Sequence, residues 1–268
     1  MNVRQEGGFS LIELAIGLVI MGLIAVGVIS SLSAQTEQRR MLQTREMLIE
    51  VRNSLMAFVT TQGRLPCPAS LLSNGQESIA SNTGGIITCS SESGFVPGVS
   101  LGLAELDARG LKNDAWDDGP AGNSPRTLRY AVTNLQAPVA NALTSPGLGA
   151  PASSTRRLDV QTSIAANQAL FICKSANAIA ATGNRCLSTA NTLSTNAAFA
   201  VWSSGANARD VSNFSTDEQQ NMSGAVPRVL ISREFAPLNA SGGGFDDLLI
   251  WQPFSLIAER LFAGGFVQ

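Results

Sequence analysis

Apolar side chains dominate the first part of the chain, and one charged residue interrupts them. Residues 9–32 are almost continuously apolar, with Glu13 as the single charge. At about 1.5 Å of rise per residue, a helix of this length matches the roughly 30 Å hydrocarbon thickness of a bilayer. Backbone groups in lipid must be satisfied within the segment, so the pattern predicts a membrane-spanning helix.

Beyond this run the apolar positions become periodic. Between Met41 and Phe58 they recur three or four residues apart, and charged residues occupy the other faces. This spacing predicts that the same helix continues as an amphipathic helix over residues 33–62. Gly63 and Pro66 indicate its end. One helix over residues 9–62 and a globular domain over residues 63–268 are therefore expected.

The remainder of the chain contains short apolar runs bounded by Gly, Pro, Asn or Ser, a pattern typical of short buried strands. These runs are residues 86–89, 169–173, 198–202, 229–232 and 248–251. A leucine pattern predicts a helix over residues 99–110, and residues 255–263 are typical of a short terminal helix. One long helix followed by runs of strands predicts an α+β fold with an antiparallel sheet.

The single charge in the apolar run points to function. A carboxylate within a membrane-spanning helix costs about 2.5–3.5 kcal/mol at the bilayer centre and less near an end. Glu13 lies near the start of the run. A helix that served only as an anchor would have no use for this carboxylate, so Glu13 is a candidate functional residue.

Residues 7–14, Gly-Gly-Phe-Ser-Leu-Ile-Glu-Leu, resemble the precursor signature of type IV pilins and type II secretion pseudopilins. In that family a short polar leader ends in Gly and is followed by Phe and an apolar run with Glu at its fifth position. The resemblance implies that residues 1–8 are a leader, cut between Gly8 and Phe9. It also implies that a prepilin peptidase makes this cut and methylates the new amino terminus.

Glu13 would then have a partner in assembly. Cleavage leaves a free α-amine on Phe9, whose reference pKa is about 7.7–8. An amine and a carboxylate attract strongly in a helical bundle of low dielectric, and each is costly alone. Pairing of Glu13 with the terminus of a neighbouring subunit would set the axial stagger of a filament.

The resemblance also implies a location and a set of partners. The subunit would sit in the bacterial inner membrane with its globular domain in the periplasm, and would later enter a pilus or pseudopilus. Its partners would be other pilins or pseudopilins, the prepilin peptidase, the inner-membrane assembly platform and membrane lipid. A globular part of about 200 residues is large for a repeating shaft subunit, which favours a minor pilin.

Two simpler interpretations remain open at this stage. The first is a plain signal peptide or single-span anchor with a chance Glu13, although no A-x-A cleavage site follows the apolar core. The second is a membrane-anchored periplasmic ligand-binding module that does not polymerise. Replacement of Glu13 by Ala separates the second interpretation from a filament subunit.

A second motif lies in the globular part. Asp114-Ala115-Trp116, followed later by Tyr130, resembles the pseudopilin pattern D-x-W-G-x-P-x-x-Y interrupted by an insertion. Trp116 and Tyr130 are expected to pack the sheet against the helix, with their polar tips hydrogen-bonded at its edge.

Composition excludes several classes of function. The chain has no histidine, which removes Ser-His-Asp triads, Cys-His dyads and histidine zinc sites. No catalytic residue is therefore expected. The net charge is −2, which provides no basic footprint for nucleic acid.

Four cysteines, Cys67, Cys89, Cys173 and Cys186, allow three pairings. An even number in an exported domain favours disulfides over metal or redox chemistry. Pairing of nearest neighbours in the sequence, Cys67 with Cys89 and Cys173 with Cys186, is the expected arrangement. Buried free thiols are the alternative.

Acidic residues form two groups, one of Asp114, Asp117 and Asp118 and the other of Asp246 and Asp247. The second pair precedes a predicted strand and resembles a late loop in which some pseudopilins bind calcium. Calcium requires six to eight oxygen ligands, so two carboxylates would need several further donors. The alternative is a turn in which Asp caps the next strand. Calcium is thus a weak candidate, and no other cofactor is expected.

Overall fold

The fold is given by a computed structural model of the chain. It describes residues 11–83, 86–117, 126–133, 143–145, 170–180, 185–208, 212, 214–223, 229–237 and 240–266, without the side chains of residues 23–34. By its internal contacts the chain divides into two units, residues 1–43 and residues 44–268.

Helix α1 covers Leu11–Gln62, so the apolar run and the periodic run lie on one helix. Residues 9 and 10 of the expected helix lie outside the described part. In the part of the chain that the structure describes, no helix meets the length and apolarity needed to cross a membrane.

The helix ends at Gly63, which has a φ of +67° and donates its N–H to the Val59 carbonyl at 2.9 Å. This left-handed conformation explains why glycine follows the last turn.

Within residues 44–62, α1 buries a single stripe of side chains. Thr44, Leu48, Val51, Leu55 and Val59 are fully buried at spacings of three and four residues. This is the stripe expected from the periodic sequence, except that Val59 rather than Phe58 continues it. A stripe of this kind stabilises a helix mainly through tertiary packing, not through helix propensity.

Eight strands in the described part of the chain form two sheets. Their bounds are Ile79–Thr83 for β1, Ile86–Cys89 for β2, Ser93–Phe95 for β3, Arg129–Val132 for β4, Leu170–Cys173 for β5, Thr192–Ser203 for β6, Val229–Ile231 for β7 and Leu248–Pro253 for β8. Strands β1 and β2 form a hairpin. The other six form one sheet in the order β3-β4-β6-β5-β7, with β8 paired to β6.

The sheet is antiparallel apart from one pair. Strands β5 and β7 run parallel, with Phe171 opposite Val229 and Cys173 opposite Ile231. The expected antiparallel sheet is therefore present, with this one parallel pair as the exception. A parallel pair needs a long crossover connection. Here that connection contains β6 and helix α2, Thr216–Met222.

The expected helix over residues 99–110 does not form. This segment consists of turns, and Gly102, Glu105 and Gly110 have φ values of +66°, 53° and +72°. A right-handed helix cannot contain three left-handed residues, so the leucine spacing was misleading. The expected terminal helix is present as α3, Phe254–Ala263.

Strand β6 separates two hydrophobic clusters. Phe199 and Val201 join the cluster that contains Leu48, Val51 and Leu55 of α1. The intervening Ala200 and Trp202 belong to a second cluster. Successive side chains of a strand point to opposite faces, so β6 supplies the core on both sides of the sheet. Three residues of α3 complete the first cluster: Phe254, Ile257 and Leu261.

Two disulfides fasten loops onto this core. Cys67 bonds to Cys89 and Cys173 to Cys186, with Cα–Cα distances of 5.3 Å and 5.6 Å. The pairing is the expected one between nearest neighbours in the sequence, and no cysteine is free. The second disulfide connects β5 to the segment that precedes β6.

Tyr130 packs where the sequence motif suggested. Its ring lies in the same cluster as the buried stripe of α1, and its hydroxyl donates to the Pro66 carbonyl at 3.0 Å. Tyr130 is fully buried, so this bond ties β4 to the chain that leaves α1. Trp116 is also buried.

The Tyr130 hydroxyl provides a test of this connection. Tyr130→Phe should lower the free energy of unfolding by about 1–2 kcal/mol, because the buried Pro66 carbonyl loses its donor. Urea denaturation of the full chain in detergent measures this change. Ser91→Ala removes an exposed hydroxyl that donates to the Ser93 carbonyl at 2.7 Å, and should cost less than about 0.5 kcal/mol. Equal losses in the two variants would contradict the role assigned to the buried bond.

Candidate functional site

The residues expected to direct processing and assembly lie at the start of the chain. Gly8 and Phe9 fall outside the described residues. Glu13 lies in the first turn of α1 and is exposed. The large apolar side chains near it are exposed too: Leu11, Ile12, Leu14, Ile16, Leu18, Val19, Ile20 and Met21 are 51–89% exposed. A continuous apolar surface of this kind marks an interaction site with protein or lipid.

A second candidate site lies in the unit formed by residues 44–268. Glu218 of α2 and the adjacent Asp246 and Asp247 bring carboxylate oxygens within 4.8 Å of one another. Asp246 and Asp247 come directly before β8, and Glu218 sits in the first turn of α2. Carboxylate groups this close together repel one another, so they must be protonated, hydrogen-bonded or bound to a cation.

Glu218 is satisfied by hydrogen bonds alone. Its Oε2 accepts from the Ser215 N–H at 2.8 Å and from the Ser215 hydroxyl at 3.1 Å. Its Oε1 accepts from the Asn207 side-chain amide and the Asp246 N–H, both at 3.1 Å. Four donors fill the four lone-pair positions of a carboxylate. Glu218 therefore acts as the capping-box residue of α2 and is a poor ligand for a metal ion.

Asp246 is satisfied on one oxygen only. Its Oδ2 accepts the backbone N–H groups of Ala206 and Asn207 at 2.9 Å and 3.2 Å. Its Oδ1 is buried and has no hydrogen-bond partner. A Cβ at Gly205 would lie 2.1 Å from this oxygen, so only glycine fits there. Burial raises the pKa of Asp246 to about 6.

In Asp247, as in Asp246, one carboxylate oxygen is hydrogen-bonded and the other is not. Its Oδ2 accepts from the Asn221 amide at 2.7 Å, and the Asn221 carbonyl oxygen accepts the Ile231 N–H at 2.7 Å. Asn221 thereby joins α2 and β7 to the segment before β8. The Asp247 Oδ1 has no partner, although the residue is only 5% exposed. Burial, with the charges of Asp246 and Glu218, raises the pKa of Asp247 well above its usual value.

Three buried acceptor oxygens in this region lack a donor: Asp246 Oδ1, Asp247 Oδ1 and Asn207 Oδ1. Unsatisfied buried acceptors are rare in native proteins and call for a specific explanation. Oxygen ligands of this type suit a hard cation such as Ca²⁺ or Mg²⁺, with backbone carbonyls or water completing the shell. The chemistry of these three oxygens is compatible with calcium.

Sequence reasoning found only part of this cluster. It identified Asp246 and Asp247 but missed Glu218 and Asn207. Ser215 and Glu218 form the S-x-x-E pattern of a capping box, which could have revealed the start of α2. No sequence pattern reveals that Asn207 reaches the same place, because tertiary packing brings it there.

In the other acidic group, the described carboxylates of Asp114 and Asp117 are hydrogen-bonded within the fold. Asp114 accepts the Ser203 hydroxyl at 2.6 Å and the Trp116 N–H at 3.0 Å. Asp117 accepts the Asn113 amide at 2.6 Å, and Asp118 lies outside the described residues. Burial raises the pKa of Asp114 to about 6, against the lowering effect of these hydrogen bonds. Asp114 thus links the D-x-W segment to the end of β6.

The raised pKa of Asp114 makes stability depend on pH. The pKa of Asp114 in the folded protein, about 6, exceeds its usual value of 3.8, so the folded state binds the proton more tightly. The resulting stabilisation is complete below about pH 4 and is lost as the pH rises through 6. Relative to Asp114→Asn, the wild type should lose about 2–3 kcal/mol of unfolding free energy between pH 4 and pH 7.

Denaturant titrations at each pH measure this difference. Glu46→Gln, on the exposed side of α1, should leave the wild-type profile unchanged. A difference between wild type and Asp114→Asn that stayed constant with pH would contradict the assignment.

The comparisons with known proteins agree with the features at the start of the chain. Residues 3–29 match a family model described as the prokaryotic N-terminal methylation motif. No curated protein and no solved structure shows significant similarity to the chain. The matched residues include Gly8, Phe9 and Glu13, and the chain therefore carries the prepilin-type signature of type IV pilins and pseudopilins.

Proposed function

We propose that the chain is a minor pilin or pseudopilin, a structural subunit of a type IV pilus or a type II secretion filament, and not an enzyme. The observation that carries this proposal is the N-terminal methylation motif, with Glu13 in the first turn of a 52-residue helix. In this role a prepilin peptidase removes residues 1–8 and methylates Phe9. The protein is then held in the inner membrane by residues 9–32 until assembly.

The packing of residues 44–62 supports a pilin-like arrangement. The buried stripe of α1 lies against β4 and β6, so the helix is part of the core of the globular domain. The two disulfides suit the oxidising periplasm, where that domain would reside.

Assembly would use the exposed apolar surface of α1. Apolar side chains leave lipid for contacts with neighbouring helices, a change with little hydrophobic driving force. Pairing of Glu13 with a neighbour's amino terminus supplies the missing specificity, because an unpaired charge in this environment is costly. Other pilins, the assembly platform and lipid are therefore the partners of this segment.

The role of Glu13 can be tested in cells that assemble the filament. Glu13→Ala should abolish or reduce incorporation at least about tenfold, since the α-amine of the neighbour loses its countercharge. Glu37→Ala, also exposed on α1, is the matched control and should assemble normally. Immunoblots of sheared filaments measure incorporation, and N-terminal sequencing of the membrane fraction should give methylated Phe9.

Two results would contradict the proposal. One is a mature chain that still carries residues 1–8. The other is normal incorporation of Glu13→Ala, which would favour the anchored ligand-binding module that does not polymerise.

We also propose that the region of Asp246, Asp247 and Asn207 binds calcium. The supporting observation is the set of three buried oxygens without donors. The ion would neutralise the two aspartates and hold α2, β7 and the start of β8 together. No part of the filament proposal depends on this ion.

Calcium binding should appear as a gain in stability. For the full chain in detergent at pH 7.5, Ca²⁺ at tenfold excess over its dissociation constant should add about 1.4 kcal/mol of unfolding free energy relative to EGTA. Asp247→Asn should lose this gain, whereas Glu259→Gln on the exposed face of α3 should keep it. Calorimetric titration should also show tighter binding of Ca²⁺ than of Mg²⁺. An unchanged unfolding midpoint and no heat of binding would contradict the site.

A further inference from the structure

A groove of about 460 Å³ lies beside β8 in the unit formed by residues 44–268. Arg45, Ile49 and Arg52 of α1 line one side, and residues 248–251 of β8 line the other. The three helix residues are four and three positions apart, so they share one face of α1. The groove therefore runs between a helix face and a strand.

The groove follows the edge of β8. Successive side chains of a strand point to opposite faces of the sheet, so four consecutive residues can line one groove only along the strand's edge. Among the described strands, β8 pairs with β6 alone. In an antiparallel edge strand every second residue directs its N–H and C=O away from its partner. The groove consequently offers both hydrogen-bond donors and acceptors.

Within the part of the chain that the structure describes, neither a charged residue nor an internal proline in β8 protects this edge against pairing with another strand. Residues 248–251 are Leu-Leu-Ile-Trp, without a charge, and the only proline is Pro253 at the end of the strand. Proteins generally protect such edges with charged residues, internal proline or a covering element. The composition of β8 is thus that of a strand that accepts a partner.

The charge of the groove indicates what kind of partner fits. Arg45 and Arg52 form no ion pair among the described residues, and Arg52 donates only to the Asn53 side chain at 3.0 Å. Arg233, which also lines the groove, is paired with Asp217 at 2.7 Å. Asp247 is the one carboxyl group of the described lining, and its Oδ2 already accepts a hydrogen bond from the Asn221 amide at 2.7 Å. Arg45 and Arg52 are therefore two positive charges of the lining that have no ion-pair partner among the described residues.

We propose that this groove binds an extended acidic segment of another protein, which adds to β8 as a strand and places carboxylates against Arg45 and Arg52. The two arginines are seven residues apart, about 10.5 Å along the helix. Alternate residues of a strand lie about 6.8 Å apart on one face. Acidic residues at every second position can therefore reach both arginine side chains.

A polypeptide suits the groove better than a nucleic acid. The edge of β8 presents N–H and C=O groups in alternation, and a second backbone strand satisfies both. A phosphate backbone supplies acceptors only and would leave the carbonyl groups unpaired. The net charge of the chain, −2, also provides no wider basic surface for nucleic acid.

A labelled peptide tests the proposal on the full chain in detergent. The probe is a fluorescein-labelled ten-residue peptide of alternating Thr and Glu, and fluorescence anisotropy measures its binding. The double variant Arg45→Glu/Arg52→Glu should bind it at least about tenfold more weakly because both attractive charges become repulsive. Arg260→Glu, on the exposed face of α3 and outside the groove, should change the affinity by less than about twofold.

Two altered peptides separate strand pairing from simple charge attraction. Replacement of every Glu by Lys should weaken binding at least about tenfold, and so should methylation of alternate backbone nitrogens, which removes donors without a change in charge. The methylated peptide is used with wild-type protein, so it decides the question even if the double variant fails to fold.

Four results would overturn the proposal. They are the absence of saturable binding, equal binding of the methylated peptide, displacement of the peptide by oligothymidine, and self-association of the chain that depends on the same two arginines. The last result would assign the groove to a second copy of this chain.

Discussion

Strand β6 is the constraint on which the globular domain depends. It is 12 residues long, and it pairs with β4, β5 and β8. From Ala197 to Ser203 every residue is buried, and the alternation of Phe199 and Val201 with Ala200 and Trp202 supplies both hydrophobic clusters. The large residues on the helix side fill the space beneath the α1 stripe. A shift of register by one residue would exchange the two sets and leave both clusters badly packed.

The sequence was informative wherever a local pattern matched the burial that followed. The three- and four-residue spacing on α1 identified its buried face, because one side of that helix meets the sheet. The apolar runs identified β5 and β7 within one residue at each end, and they identified the start of β8 but ended two residues short of its end. Local patterns failed where distant residues decide the outcome. The parallel pairing of β5 with β7 depends on the path of the chain between them, and the left-handed Glu105 breaks a plausible leucine helix.

The carboxylate cluster shows why proximity of acidic residues does not by itself define a metal site. Glu218 lies among the three carboxylates, yet four donors occupy its lone pairs, and its place is explained by the start of α2. Asp246 has two hydrogen bonds and Asp247 has one, in each case to a single carboxylate oxygen, and the other oxygen has no hydrogen-bond partner. The sequence could identify the two adjacent aspartates, but it could not show which carboxylate oxygens are hydrogen-bonded and which are not. That distinction depends on where the fold holds the donors, which belong to Ala206, Asn207 and Asn221.

The two parts of α1 obey different constraints. Between Thr44 and Val59 the buried positions are fixed by contacts with the sheet. Near its start the same helix exposes large apolar side chains, and a Cβ added at Gly17 or Gly22 would meet no described atom within 4 Å. The described contacts within one chain therefore explain neither the apolar side chains of this segment nor its glycines. Each glycine lowers helix stability by about 1 kcal/mol relative to alanine. Small residues on an apolar helix permit close approach of a neighbouring helix, so these features are typical of a helix surface that contacts another molecule.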